Sequence, residues 1–371
     1  MYPEYINKLE KISKMPKEEL ERLKKVEEKY KFRANEYYLS LINWEDKNDP
    51  IRRIIIPNIE ELEEWGFEDA SKEHSYTISK GLQHKYKDTA LLLVNDVCGS
   101  FCRFCFRKRL FKDIGKEVVR TREIGEDIEY IKQHEEITNV LLTGGDPLLL
   151  STKKLESIIE SIYKIEHVKI IRIGSKIPAF NPYRILNDVS FVEMIKKYNK
   201  NGKKLYFIVQ FNHPNEITSE AVKGINLLLN SGSILANQTP LLHKINDDPK
   251  ILSQLFKKLS FIGVPPYYVF QNRPVMGNKG FVVPLEKGYS IFLQALETIS
   301  GLAKRPRFVM SHETGKIEVS AMTKDNIIFR YHRSHNPENY RKFFVFKRNP
   351  EAYWFDDYKE PVEIFNYSEV N

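Results

Sequence analysis

The sequence feature that most constrains the fold is a repeating alternation that begins near residue 90. Short runs of apolar, β-branched or aromatic residues are separated by longer amphipathic stretches. The runs cover 90–96, 139–143, 168–173, 205–211, 233–237 and 267–270, and the predicted helices between them cover 122–133, 152–163, 182–198, 215–230 and 249–260. Apolar strands separated by helices are typical of βα units that build a parallel sheet covered on both faces. The six units predict an α/β fold that forms most of a TIM-like barrel rather than an open doubly wound sheet.

Three regions are predicted around this repeat. Residues 1–85 are charged and read as helical, with a helix start at Pro16, and are expected to form an N-terminal helical arm. Residues 86–275 are expected to form the barrel core. Residues 276–371 are expected to form a C-terminal α+β extension, with a helix over 285–303.

Composition excludes several classes of protein. The 371 residues are 42% hydrophobic and 29% charged, which is typical of a globular chain and not of a disordered one. No apolar run is long enough to cross a bilayer and the N-terminus lacks the apolar centre of a signal peptide, so we expect a cytoplasmic protein with no membrane partner.

The net charge of +8 suits an anionic partner, and the basic and aromatic alternation over 341–348 has two interpretations. One is an RNA-binding face. The other is a half-buried strand, which such alternation more often forms. Because basic and acidic residues are mixed along the whole chain, nucleic acid is not the favoured partner.

All three cysteines lie within eight residues, as Cys98, Cys102 and Cys105. A disulfide framework would spread its cysteines and pair them evenly, so the cluster favours a metal. Structural zinc would need a distant fourth ligand such as His84. An iron–sulfur cluster held by three thiolates would leave one iron open to an exogenous ligand, as a reactive site requires. A redox-sensing group of thiols and a non-enzymatic iron–sulfur sensor are the remaining alternatives.

Polar or glycine-containing motifs follow the other predicted strands. In a βα barrel the carboxyl ends of the strands form the rim where active sites are built. These motifs cover 143–147, 174–176, 212–216, 237–239 and 271–273.

The Cys-x3-Cys-x2-Cys spacing resembles the signature of the radical S-adenosylmethionine (SAM) superfamily. The resemblance implies that the barrel is a partial (β/α)6 TIM-like barrel. It also implies a 4Fe–4S cluster held by Cys98, Cys102 and Cys105, whose open iron is chelated by SAM. It also implies a reducing electron donor such as flavodoxin or ferredoxin, and cleavage of SAM to a 5′-deoxyadenosyl radical. The stretch 143–146 is similar to the superfamily's glycine-rich motif for the methionyl amino group, which makes Gly144, Gly145 and Asp146 candidate cofactor-binding residues.

Further stretches resemble the lysine 2,3-aminomutase family in order and spacing. They cover 98–109, 141–147, 171–175, 211–214, 237–238 and 266–277, and the resemblance extends over about residues 35 to 320. It implies an isomerase, often homo-oligomeric, that moves the α-amino group of an amino acid to Cβ through the 5′-deoxyadenosyl radical and a pyridoxal phosphate aldimine. The matching motifs add Ser175, His213 and Gln238 to the candidate cofactor-binding residues.

The same resemblance implies a site for pyridoxal phosphate. Lys316 matches the lysine that binds this cofactor, within a C-terminal loop that is shorter than the family's and has one glycine. The family's phosphate-binding pair falls on Lys85 and Thr89, so one basic residue is kept and one is lost.

Substrate preference can be predicted from departures within this resemblance. Arg107 matches the arginine that pairs with the substrate carboxylate in the family, a task suited to a bidentate guanidinium. Lysine-specific members hold the distal ammonium with two aspartates, and those positions are Arg273 and Ser311 here. An arginine would repel an ammonium, so an acidic amino acid such as glutamate is expected as the substrate.

Two alternatives to this interpretation stay open. Arg273 could be engaged in an ion pair within the protein and play no part in binding. The alternative function is a radical SAM enzyme without pyridoxal phosphate that modifies tRNA or a protein.

Overall fold

The computed structural model describes residues 2–111, 123–200 and 202–366. Its N-terminal part contains three helices and two short strands paired in antiparallel fashion: β1 (Tyr5–Ile6), α1 (Lys17–Lys29), β2 (Ala34–Asn35), α2 (Glu36–Ser40) and α3 (Pro50–Ile55). Pro16, which has no backbone N–H, lies immediately before α1, where no such donor is needed. The side chains of Asn35 and Asp49 cap α2 and α3 by accepting backbone N–H bonds.

The remaining strands form one sheet of twelve strands in chain order. They are β3 (Leu82–Tyr86), β4 (Thr89–Asn95), β5 (Asn139–Gly144), β6 (Ile170–Ser175), β7 (Lys204–Val209), β8 (Ile234–Leu241), β9 (Pro266–Gln271), β10 (Arg307–His312), β11 (Gly315–Met322), β12 (Asn326–Ser334), β13 (Lys342–Lys347) and β14 (Glu363–Asn366). Strands β4 to β9 are the six predicted ones and run parallel. Strand β10 adds a seventh parallel strand, and β3 and β11 to β14 pair antiparallel.

Helices cover the parallel strands, as the alternation of the sequence predicts. They are α4 (Gly125–Gln133), α5 (Thr152–Tyr163), α6 (Ile177–Phe180), α7 (Tyr183–Leu186), α8 (Val189–Tyr198), α9 (Ser219–Asn230), α10 (Pro249–Phe261) and α11 (Leu285–Glu297). The helix predicted over 182–198 is two helices, because Asp188 accepts the Phe191 N–H and begins α8 anew. The helix predicted over 285–303 ends at Glu297 and is followed by the 3-10 turn Gly301–Lys304. Residue 122, the predicted start of α4, lies outside the described residues.

The remaining short elements are 3-10 turns. They are Leu9–Lys11, Ile59–Leu62, Glu73–Tyr76, Lys108–Phe111, Pro147–Leu149, Pro214–Glu216, Lys279–Phe281, Pro337–Arg341 and Phe355–Asp357. The tail segment 341–348 contains strand β13, so the prediction of a half-buried strand is confirmed.

Alternate residues of the parallel strands face opposite sides of the sheet. On β6, Ile171 and Ile173 are fully buried under the helices, whereas Arg172 and Gly174 line an internal cavity. Ile208 on β7 lines the same cavity. The apolar core therefore lies between sheet and helices, and the opposite face of the sheet lines the cavity with both polar and apolar side chains.

The sheet is strongly curled. Strand β12 lies eight places from β4, which would separate them by about 38 Å in a flat sheet. Even so, Arg333 on β12 donates from Nη1 to the Thr89 Oγ1 at 3.2 Å, and the Lys85 Nζ on β3 donates to the His312 carbonyl on β10. The inner face of the sheet is therefore concave, and its edge strands in the described part of the chain are β3 and β14.

The N-terminal helices hold the cysteine segment through its backbone. The Phe101 N–H donates to the Arg33 carbonyl at 2.9 Å, and the Arg103 N–H donates to the Ile54 carbonyl at 2.8 Å. The buried Arg103 guanidinium also forms an ion pair with Glu61, with 2.7 Å between Nη2 and Oε2. None of the helices in the described ranges is long and apolar enough to cross a membrane.

Candidate active site

A cavity of about 360 Å³ occupies the concave face of the sheet and contains nearly all the predicted site residues. Those lining it are Cys98, Cys102, Cys105, Lys85, Gly144, Gly145, Asp146, Ser175, Gln238, Arg107, Arg273 and Lys316. His213 is the exception: its ring accepts the Asn215 N–H at 3.2 Å and begins the turn Pro214–Glu216. The structure gives His213 a local capping contact outside the cavity wall.

The three thiols are partly exposed to the cavity. Burial in the protein raises the pKa of each of them. The Arg107 N–H donates to the Cys105 Sγ at 3.4 Å, a contact that favours a thiolate. No three His, Cys, Asp or Glu side chains among the described residues are arranged to hold one metal ion. A cluster makes a different demand on its thiolates, because each ligates a separate iron.

His84 does not complete a zinc site. Its Nδ1 lies 3.0 Å from the Tyr130 hydroxyl and its Nε2 lies 3.1 Å from the Lys87 carbonyl, and His84 does not line the cavity. Both ring nitrogens are thus occupied away from the cysteines.

Gly144 and Gly145 allow the end of β5 to press against the segment before Cys98. A Cβ on Gly144 would lie 2.4 Å from the Asn95 carbonyl oxygen, and one on Gly145 would lie 2.1 Å from that of Val97. The Gly145 N–H instead donates to the Asn95 oxygen at 2.8 Å. Only glycine permits this approach, which places the glycine-rich motif beside the cysteine loop.

Asp146 and Ser175 bind each other. The Ser175 hydroxyl donates to the Asp146 carboxylate at 2.8 Å, and the Lys176 and Leu148 N–H groups donate to it at 2.7 and 3.0 Å. Burial raises the pKa of Asp146 to about 6, although these donors act to lower it. The carboxylate therefore joins the ends of β5 and β6 and fixes the shape of the cavity wall.

Lys316 lies on strand β11 and not in a loop as expected. The turn before it consists of Glu313 and Thr314 alone, and a Cβ on Gly315 would lie 2.3 Å from the Arg333 carbonyl oxygen. The single glycine is thus required by the close approach of β12. The Lys316 Nζ lies 3.8 Å from the centre of the Tyr268 ring.

The electrostatic surroundings of Lys316 favour a neutral amine. Burial lowers its pKa well below the usual value, and the charges of Arg172, Arg333, Arg273 and Lys85 lower it further. A neutral lysine amine is a nucleophile that can form an imine with a carbonyl compound.

Arg273 and Ser311 lie together on the cavity wall, as the sequence comparison implied. The Arg273 Nη2 donates to the Ser311 Oγ at 3.0 Å, and the guanidinium carbon lies 3.8 Å from the centre of the Phe106 ring. The Arg273 Nη1 is 3.8 Å from Glu73 Oε1, so an ion pair exists but is the looser contact. Arg273 remains in the cavity wall with Ser311 as its hydrogen-bond partner.

Glu73 is a site residue that the sequence analysis missed. Its carboxylate accepts from Arg107 Nη2 at 3.0 Å and from Arg109 Nη2 at 2.5 Å. Burial acts to raise the pKa of Glu73, but the charges of Arg107, Arg273 and Arg109 together lower it to about 2. Arg107 is therefore paired with a protein carboxylate, and three guanidinium groups share one acidic side chain.

Similarity to known proteins identifies the family to which this site belongs. A family model described as the Radical SAM superfamily matches residues 92–252. A protein from Aquifex aeolicus, named provisionally as an L-lysine 2,3-aminomutase, is 56% identical over 98% of this chain and 97% of its own. The L-lysine 2,3-aminomutase of Acetoanaerobium sticklandii is 35% identical over 95% of this chain and 83% of its own. The glutamate 2,3-aminomutase of Clostridioides difficile is 35% identical over 84% of this chain and 72% of its own. The chain belongs to the lysine 2,3-aminomutase family.

As a member of the lysine 2,3-aminomutase family, the protein is a radical SAM isomerase with a 4Fe–4S cluster and SAM as cofactors. The site fits them, because three thiols and the glycine-rich end of β5 meet in one cavity. The alternative of a tRNA- or protein-modifying enzyme is not favoured, since the relatives described above are named as aminomutases and this chain matches most of their length.

The lysine 2,3-aminomutase fold encloses an excess of positive charge here. Among the described residues, seven basic side chains line the cavity against the two carboxylates of Glu73 and Asp146. The basic residues are Lys85, Arg107, Arg172, Lys176, Arg273, Lys316 and Arg333. Lys176 forms an ion pair with the buried Glu216, with 2.6 Å between Nζ and Oε1, so its charge is compensated. The other cations make the cavity a site for anionic groups.

Proposed function

We propose that the protein is a 2,3-aminomutase for an acidic α-amino acid such as glutamate, and that it holds pyridoxal phosphate on Lys316. The observation that carries the proposal is that Lys316 and the Arg273–Ser311 pair line one cavity with the three cysteines. When bound, the cluster and SAM supply a 5′-deoxyadenosyl radical, and pyridoxal phosphate supplies a conjugated system that stabilises a substrate radical.

The residues around Lys316 fit pyridoxal phosphate. Its amine is held neutral and packs on the Tyr268 ring, so it is ready to react with an aldehyde. Lys85 and Arg172 supply positive charge for a phosphate on the same cavity wall. Burial, and then the nearby charge of Arg273, lowers the pKa of Lys85 to about 7, and a bound phosphate would favour its protonated form.

We assign binding of the substrate α-carboxylate to Arg107. Its guanidinium has five N–H donors, of which Glu73 accepts two, at 3.5 Å from Nε and 3.0 Å from Nη2. Glu73 thereby fixes the plane of the guanidinium without using all its donors. A substrate carboxylate would add a second anion to a cluster that already has three guanidinium groups.

Arg273 accounts for the proposed preference for an acidic substrate. Its side chain is 17% exposed, and its neighbour Ser311 is a neutral donor or acceptor. The carboxylate that pairs with it among the described residues is Glu73 at 3.8 Å, so an ammonium group at Ser311 would meet a positive charge. A substrate carboxylate would instead form a charge-assisted hydrogen bond. Lysine is therefore disfavoured and glutamate favoured.

The proposed architecture follows the sequence analysis. We propose that residues 86–275 form a partial (β/α)6 barrel core, flanked by the N-terminal arm, residues 1–85, and the C-terminal extension, residues 276–371. The contacts from β3 and β4 to β10 and β12 support a curled sheet of this kind.

The test uses anaerobically prepared protein with its cluster intact. Reduction with borohydride in the presence of pyridoxal phosphate should give a phosphopyridoxyl adduct on Lys316, detected by mass spectrometry after digestion, and Lys316→Ala should abolish it. Incubation with SAM, a reductant and either glutamate or lysine should then give a β-amino acid from glutamate only. Absence of the adduct on the wild-type protein would refute the aminomutase proposal. An adduct together with turnover of lysine alone would refute the assigned substrate.

A further inference from the structure

Lys316 and Arg333 lie directly opposite each other on neighbouring antiparallel strands. They are register partners of β11 and β12, and both line the cavity. Directly opposite residues place their side chains on the same face of a sheet, and the charge of Arg333 is one of those that lower the pKa of Lys316. Strand β12 shows the usual arrangement three residues earlier, where Arg330 lies opposite Glu318 and donates to its carboxylate at 2.9 Å. Arg333 has no such partner across the ladder.

Two more basic side chains, Lys85 and Arg172, surround this pair. Lys85 and Arg333 both pack on the ring of Tyr86, with 5.7 Å from the Lys85 Nζ and 4.4 Å from the Arg333 guanidinium carbon to the ring centre. Arg172 lines the same wall. Positive charge that is gathered in a cavity is costly unless an anion compensates it, so the arrangement is that of an anion site.

The contacts of Arg333 leave it able to bind that anion. Its Nη1 donates to Thr89 Oγ1 at 3.2 Å, and its Nη2 pairs with Asp88. The Asp88 side chain is 57% exposed, so solvent screens its attraction for the guanidinium. Of the five N–H donors of the group, these contacts use two. The Thr89 hydroxyl thus contacts the Arg333 guanidinium, although the two residues are far apart in sequence.

We infer that Arg333 on β12, together with Lys85 on β3, forms the phosphate-binding subsite for the pyridoxal phosphate held by Lys316. Arg333, from strand β12, supplies the basic group that the Thr89 position lacks. The inference rests on the proposed function and goes beyond it in assigning a residue from a different strand to the phosphate.

The test compares the binding of two ligands that differ only in the phosphate. Wild-type protein with its cluster intact is titrated with pyridoxal phosphate and with pyridoxal, and the bound aldehyde is followed by absorbance. Because a hydrogen bond to a charged group is lost, Arg333→Ala should bind pyridoxal phosphate about 10- to 100-fold more weakly. Its affinity for pyridoxal should not change.

Three further variants separate a phosphate contact from a structural role. Arg330→Ala, on the same strand but outside the cavity, should bind pyridoxal phosphate like the wild type. Asp88→Ala removes the contact to the β3–β4 turn and keeps the guanidinium, so its affinity should be kept or increased. Thr89→Arg in the Arg333→Ala background should restore part of the lost affinity.

The outcomes distinguish this inference from the proposed function. Wild-type protein that binds neither ligand would refute both. Wild-type binding of pyridoxal phosphate with an unchanged affinity in Arg333→Ala would refute the role of Arg333 alone. An equal loss for both ligands in Arg333→Ala would also refute it, because the phosphate would then not be what the guanidinium recognises.

Discussion

Replacing Arg273 tests the link between the cavity and the choice of substrate. The side chain is 17% exposed, and its one close hydrogen-bond partner among the described residues is the Ser311 hydroxyl at 3.0 Å. A hydrogen bond to a charged group contributes about 1.5–3 kcal/mol. Arg273→Ala should therefore lower kcat/KM for glutamate about 10- to 100-fold through loss of the distal carboxylate contact. Glu73 would keep Arg107 at 3.0 Å and Arg109 at 2.5 Å, so the rest of the cluster should persist.

The assay measures β-amino acid formation by mass spectrometry under anaerobic conditions, with glutamate and lysine as separate substrates. Lysine, from which the wild type should form no product, should gain turnover in the double variant R273D/S311D, which supplies two carboxylates for the ammonium. Arg305→Ala, at an exposed position, serves as the control. Unchanged glutamate turnover in Arg273→Ala would refute the reasoning.

Three other predictions concern the supports of the site. Glu61→Gln leaves the buried Arg103 and Lys108 without their carboxylate, so the free energy of unfolding in denaturant should fall by about 3–5 kcal/mol. Gly145→Ala places a methyl group against backbone, and the iron content of the purified protein, measured by inductively coupled plasma spectrometry, should fall. Against the effect of burial, its arginine neighbours lower the pKa of Glu73 to about 2. Ionised Glu73 therefore stabilises the fold at pH values above its ordinary pKa, and the free energy of unfolding should fall by about 3 kcal/mol as the pH falls from about 4.5 to 2. Acid titrations of unfolding should show this decrease in the wild type and not in E73Q.

The parallel strands could be predicted because their apolar runs are buried beneath helices, a local property of the sequence. Strand β10 was not counted among them, because Arg307 and His312 frame its short apolar centre and the pairing with β9 is a tertiary event. The helix predicted over 182–198 has continuous helical spacing, yet Asp188 offers its carboxylate as a cap and the backbone restarts there.

The cavity lining could be predicted where a motif follows a strand, as for the cysteines and for Gly144 and Gly145. Glu73 and Arg333 could not be, because their roles depend on contacts between residues far apart in sequence. Glu73 lies in a 3-10 turn with no apolar period and reaches Arg107 across 34 residues. Arg333 reaches Thr89 across 244 residues. Separations of this size leave no periodic signal in a single sequence.

The hydrogen bonds from Phe101 and Arg103 to the arm have a consequence for how the enzyme is made. The arm leaves the ribosome first, so its Arg33 and Ile54 carbonyls are synthesised before the segment that must bind iron. We expect cluster insertion to require a docked arm, since the backbone between Cys98 and Cys105 has its partners there. A protein whose arm opens transiently would expose its cluster to oxygen while all three cysteines remain in place. Oxygen tolerance in this enzyme is therefore expected to follow the local stability of the arm.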